Sequence, residues 1–143
     1  MIERISSNKK PNFFFMGYLP SLSVNDFFIV PKHFFVEEII EKRKPLKLTA
    51  RRAGWVGSNI LFSRIPKAGQ IFYIQNGIEI SKKEVLSNWQ KTVFLKEIKK
   101  DEARGWILDI MNCIDDLNTN EFTLQDLYSY EQVLKKLHPE NMG

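Results

Sequence analysis

Apolar positions occur along this chain in two kinds of run: dense and short in the first third, and helically spaced towards the end. Residues 12–19 and 26–30 are nearly continuous in aromatic and β-branched side chains, and Pro20-Ser21-Leu22-Ser23 separates them. This predicts two neighbouring strands joined by a turn. Neither alternates with polar residues as a half-solvated strand does, so both are expected to be buried on two faces, as in the middle of an α/β sheet. Pro31 is expected to end the second strand and to open a helix with Phe34, Phe35, Ile39 and Ile40 on one side, closing before Pro45.

Further along, 71–75 reads as a strand entering the tight turn Asn76-Gly77, with 78–80 returning as the other arm of a hairpin. Ser81 followed by Glu84 is a capping-box signal, and Val85, Leu86, Trp89, Val93 and Phe94 continue it as a helix. The character changes after 96–102. From residue 101 onward there are nine acidic residues against three basic ones, and both main segments are helical, which marks a domain boundary. Trp106, Ile107, Ile110, Met111 and Ile114 recur at helical spacing, and Thr123 with Asp126 caps a second helix bearing Leu124, Leu127, Tyr128, Leu134 and Leu137. Two amphipathic helices cannot enclose a core alone.

Composition narrows the class. With 143 residues, 43% hydrophobic and 13% aromatic, the chain can build a core of ordinary domain size. The single cysteine, Cys113, excludes an internal disulfide and a cysteine-rich zinc site within the chain. No stretch approaches the roughly 20 apolar residues that span a bilayer, and residues 1–10 lack the apolar middle of a secretion signal. A cytoplasmic location without membrane contact is expected.

The net charge of +4 conceals strong segregation. Between Glu41 and Glu79 there is no acidic residue, yet Lys42, Arg43, Lys44, Lys47, Arg51, Arg52, Arg64 and Lys67 all lie there. A window of +8 within a chain of +4 is the footprint of a surface that meets a polyanion. At its centre is Ala50-Arg51-Arg52-Ala53-Gly54-Trp55-Val56-Gly57-Ser58-Asn59. Arg51 and Arg52 suit phosphates or guanine edges, Gly54 and Gly57 permit close backbone approach, and Trp55 offers a flat face to a base. Asn59 suits an adenine edge or a bond within its own loop. Composition leaves a second reading open, in which Trp55 is core and the arginines are a solvated rim.

Other chemistry is weakly signalled. Phosphodiester hydrolysis usually needs clustered carboxylates around Mg²⁺. The only Glu-x-Lys triplet is Glu97-Ile98-Lys99, and no aspartate lies between Asp26 and Asp101 to complete a site upstream of it. His33 and His138 have no metal-ligand or nucleophile pattern around them and read as helix-end or surface residues. Cys113, beside an apolar helical stripe, reads as a packed thiol.

Several longer runs together are similar to the DpnI-type restriction endonucleases, also called the Dam-replacing family. They are Pro11-Asn12-Phe13-Phe14-Phe15, Arg43-Lys44-Pro45-Leu46, Thr49-Ala50-Arg51-Arg52-Ala53-Gly54-Trp55, Arg104-Gly105-Trp106, Asn112-Cys113-Ile114-Asp115 and Glu121-Phe122-Thr123-Leu124, in the family's order and with similar spacing. The resemblance implies an α/β region, part of a PD-(D/E)xK restriction-endonuclease-like domain over 1–100, followed by a partial all-α winged-helix segment over 103–143. It implies double-stranded DNA as partner, methylated on adenine in GATC, and Mg²⁺ as the family's cofactor. The family's catalytic Asp, Glu and Lys and its zinc site lie upstream of the Pro-Asn-Phe-Phe-Phe run, so this chain is expected to hold no catalytic residue, to bind no Mg²⁺ and to cleave nothing. Arg51, Arg52, Trp55, Asn59, Lys44 and Lys47 become the DNA-contact candidates, with Trp55 near the methylated base. An oligomer is not expected. Two other readings remain: a stand-alone, non-catalytic DNA-binding module, and a partly folded remnant.

Overall fold

In the computed structural model, which describes residues 11–139, a sheet region is followed by helices. The strands are β1 (Phe13–Tyr18), β2 (Val24–Val30), β3 (Ile40–Lys42), β4 (Ser58–Ile60), β5 (Ile71–Gln75) and β6 (Ile78–Glu79). The α-helices are α1 (Lys82–Gln90), α2 (Asp101–Leu117), α3 (Leu124–Tyr128) and α4 (Glu131–Leu137). An antiparallel sheet takes the order β1-β2-β5-β6, and β3 pairs with β4 alone.

The β1–β2 pairing confirms the two expected strands; β2 meets core on both faces through Val30 and Ile29, but the expected burial fails for β1. β1 is the last strand of its sheet, and its side chains alternate. Phe13 and Phe15 turn to the core, while Phe14, Met16 and Tyr18 face solvent. A continuous apolar run thus serves an edge strand whose outer face only its neighbours' rings partly cover, with Phe14 stacked on Phe27 and Phe27 on Tyr73. The β5–β6 hairpin forms as Asn76-Gly77 dictates. Both residues take positive φ, 51° and 75°, which glycine accepts freely and asparagine better than most. Asp26 and Asn25 of β2 fix that turn by accepting from the Asn76 and Gly77 amides.

The segment after Pro31 is not an α-helix. It makes two short 3₁₀ turns, Lys32–Phe34 and Glu37–Ile39, split by extended backbone at Val36, and Ile40 already belongs to β3. The reason lies in its surroundings. Phe34, Phe35, Val36, Ile39 and Ile40 are all buried, so core material encloses the segment rather than meeting one stripe of it. A one-faced helix cannot bury consecutive residues 34–36. Of the basic window, Lys42 and β4 lie in the β3–β4 pair, and the stretch between them is irregular.

Those residues form the main core with Val30, Ile65, Leu95 and Leu108, against which Phe13, Phe15 and Phe28 pack. A smaller cluster of Ile29, Ile71 and Val85 on the opposite face places α1 there with Trp89. Ser81 Oγ accepts from the Glu84 amide at 3.2 Å, the expected N-cap. The helix stops at Gln90, with Val93–Lys96 in a 3₁₀ turn, and Leu86 and Phe94 stay exposed instead of joining the core.

Across the compositional boundary near residue 100 the two parts of the chain pack together. Leu108 of α2 is fully buried in the main core, with Ile107 and Met111 beside it. The expected second helix also breaks in two at Ser129-Tyr130, giving α3 and α4. The Thr123–Asp126 capping box is complete. Asp126 takes bonds from the Thr123 amide and hydroxyl, which hold its carboxyl below the usual carboxylate range. The other face of α2 meets α3 and α4 around a groove of about 360 Å³ lined by Trp106, Ile110, Cys113, Leu124, Leu127 and Leu134 among others. Cys113 is buried there, and burial is the main influence raising its thiol pKa, as expected for a packed thiol.

His33 departs from the surface reading. It is buried, and its Nε2 lies 3.0 Å from Thr92 Oγ1. Thr92 spends its own proton on the Trp89 carbonyl, so its oxygen must accept and Nε2 must carry the imidazole proton. Nδ1 is left with no partner among the described residues. Burial first, then the charges of Lys96, Arg104 and Lys32, push the His33 pKa down to about 4 from 6.5. A depressed folded-state pKa means the unfolded chain binds the proton first. The stability His33 confers as a neutral group is therefore complete above pH 6.5 and lost as pH falls towards 4, by about 3 kcal/mol at most. Chemical denaturation across that range should show a steeper acid loss for the natural chain than for His33→Gln.

Candidate nucleic-acid interface

β3 and β4 are the root of a long hairpin that we call the finger. Ile40, Glu41 and Lys42 pair with Ile60, Asn59 and Ser58, and beyond them the two arms stay linked irregularly. The Arg43 amide donates to the Gly57 carbonyl at 2.9 Å, Leu46 to Trp55 at 3.0 Å and Gly54 to Leu46 at 3.1 Å. Two turns close the tip: Ala50 N–H to the Lys47 carbonyl, and Trp55 N–H to the Arg52 carbonyl, with Gly54 at φ 77°. That last angle is where glycine is needed, because a Cβ there strains the backbone.

Of the eight window cations, six lie on the finger. Lys42, Arg43, Lys44, Lys47, Arg51 and Arg52 are all exposed, and none pairs with a carboxylate among the described residues. Six positive charges on one protruding hairpin, against Glu41 at its root, make a concentrated positive field.

Trp55 is not core. It is 51% exposed, its ring edge lying over Gly57, while the Arg52 guanidinium sits 5.6 Å from the ring centroid. A Cβ on Gly57 falls 3.0 Å and 3.1 Å from that ring, so this glycine leaves room for the indole edge. Arg51, Arg52, Trp55 and Lys47 therefore share the tip, and Lys44 stands on the arm. Asn59 sits apart at the root, where its amide donates to Glu41 Oε2 at 2.9 Å across the strand pair.

Arg64 leaves the basic window for internal use. Its guanidinium donates to the Glu38 carbonyl at 3.0 Å and to the Asp109 carboxylate at 3.1 Å, and Asn112 donates to its backbone carbonyl. Asp109, only 5% exposed, also meets His138 Nε2 at 2.7 Å, with the imidazole edge-on to Trp106. His138 ends α4, as the helix-end reading expected, and its ring is tethered to Asp109. No spacing pattern signals this centre, whose members are 29 and 45 residues apart. Nor did it single out Leu48, which the finger leaves 92% exposed. A lone aliphatic residue amid lysines and arginines was the available sign.

Glu97 and Lys99 are exposed and adjoin no metal-binding group. Among the described residues no three His, Cys, Asp or Glu side chains come together to hold a metal ion, so these residues do not fit the Mg²⁺ that the resemblance brings with it. No described helix is long and apolar enough to cross a membrane.

Family models match both parts of the chain that carry those runs. Residues 1–98 match the Dam-replacing family, and residues 102–143 match the Dam-replacing HTH domain. The first match alone covers more than half of the chain, which therefore belongs to the DpnI-type Dam-replacing family.

Proposed function

We propose that this protein holds double-stranded DNA through the tip of the finger, favouring duplexes methylated on adenine in GATC. The observation that carries the reading is the presentation of six exposed cations and a half-exposed tryptophan on one hairpin. Lys44, Lys47, Arg51 and Arg52 neutralise phosphates or, for the arginines, grip a guanine edge in two bonds. Trp55 lays its ring against the apolar N6-methyl group or a base, exchanging the Arg52 guanidinium for it. Asn59, tied to Glu41, steadies the root and reads no base. Holding occurs without cleavage by this chain, a reading supported by the lack of any metal-holding cluster among the described residues.

Fluorescence anisotropy with methylated and unmethylated GATC duplexes over a salt series tests the proposal. Affinity should fall as salt rises, and Arg51→Ala or Arg52→Ala should each reduce the salt slope by about 1. Trp55→Ala should cost about 1–3 kcal/mol with little change in slope. Absent or salt-independent binding overturns the reading, and specific cutting of Gm6ATC with Mg²⁺ overturns its non-catalytic part.

A further inference from the structure

We infer that Leu48 is a wedge: when the finger docks, its side chain enters the stack between adjacent base pairs of the duplex. The inference rests on the DNA reading above and adds to it a deformation of the nucleic acid. Leu48 is the most exposed large apolar side chain among the described residues, at 92%. A solitary exposed leucine is ordinary on a protein surface, so exposure alone means little. Its position is the informative part.

Leu48 occupies the apex of the finger, inside the turn that the Ala50 amide closes on the Lys47 carbonyl at 2.9 Å. Lys47 precedes it directly, and Arg51 and Arg52 follow within four residues, all exposed. A docking site for a folded protein needs a contiguous apolar patch. Here the exposed apolar groups of the finger are Leu46, Leu48 and Trp55, interleaved with cations. One aliphatic side chain projecting from a cationic tip suits a partner that is polyanionic outside and apolar between its stacked layers. Duplex DNA has that build, and proteins that kink it insert single leucine, isoleucine, phenylalanine or methionine side chains between base steps. The bonds between Leu46, Gly54 and Trp55 pin the loop behind the apex, so little backbone order remains to be gained on insertion.

The test uses the full chain and a methylated GATC duplex with a fluorescent adenine analogue beside the site, whose emission rises when it is unstacked. The natural chain should raise emission on binding. Leu48→Ala should abolish that rise and weaken binding roughly tenfold, the worth of the apolar surface it removes, while leaving the salt slope unchanged. Leu48→Met should retain both properties. Because the side chain is exposed, these substitutions leave the fold intact, which a melting curve verifies. Binding by the natural chain without a rise in emission overturns the wedge, as does Leu48→Ala behaving like the natural chain; either result leaves the phosphate and Trp55 contacts standing if Arg52→Ala still weakens binding. Failure of the natural chain to bind any duplex removes the DNA reading and the wedge with it.

Discussion

Replacing Asp109 with alanine should destabilise the protein by about 3 kcal/mol, at the lower end of what losing one partner of a buried ion pair costs. The estimate is held down because Arg64 is a quarter exposed and keeps its bond to the Glu38 carbonyl. Removing the carboxylate leaves that guanidinium with an uncompensated charge and strips His138 of its acceptor. In a chain of this length the melting temperature should drop by about 10 °C. Asp109→Asn retains the shape and one acceptor oxygen and should cost less. A cycle combining Asp109→Ala with His138→Ala should be non-additive by more than about 0.5 kcal/mol, since both changes break the same bond. Additive losses show that the contact at 2.7 Å contributes nothing.

A comparable loss, about 3–5 kcal/mol, is expected for Phe34→Ala in the main core. Phe34 is fully buried, and the chain approaches it so closely at Gly69 that a Cβ there falls 2.7 Å from its Cδ1 and 2.9 Å from its Cε1. Ile65 Cγ2 blocks the same spot at 2.9 Å. Gly69→Ala should therefore destabilise by overpacking, about 1–3 kcal/mol, although its backbone angles are ordinary. Pairing it with Phe34→Leu should recover part of that cost, which urea unfolding of the two single variants and the double variant measures. A double variant as unstable as the sum of its parts contradicts this account of Gly69.

Local chemistry made much of the fold legible. Asn76-Gly77 named its turn, Ser81 and Thr123 named their helix starts, and the aromatic density of residues 12–30 named two strands. Each signal depends on neighbours within four residues. The misreadings share a different cause. Residues 31–40 fit a helical stripe only if one side faces water, and none of the five apolar residues there does. His33 found its partner 59 residues away and Asp109 its partners 29 and 45 away, distances at which no spacing rule operates. The finger falls between these cases. Its cations were visible as a run without acids, but their exposure, the outward Trp55 and the bare apex at Leu48 are properties of the folded hairpin.

The seat of Leu108 has a consequence for cutting the chain. The peptide between the two profile matches, residues 99–101, resembles a linker in composition, and a protease that nicked it would sever the covalent connection there. The fragments should nevertheless stay together. The second carries α2, whose Leu108 is sunk in the first fragment's core, and its Asp109, Asn112 and Asp115 bond to Arg64 and Lys67 of the first. On a sizing column the nicked protein should run as one species, and two bands should appear only after denaturation.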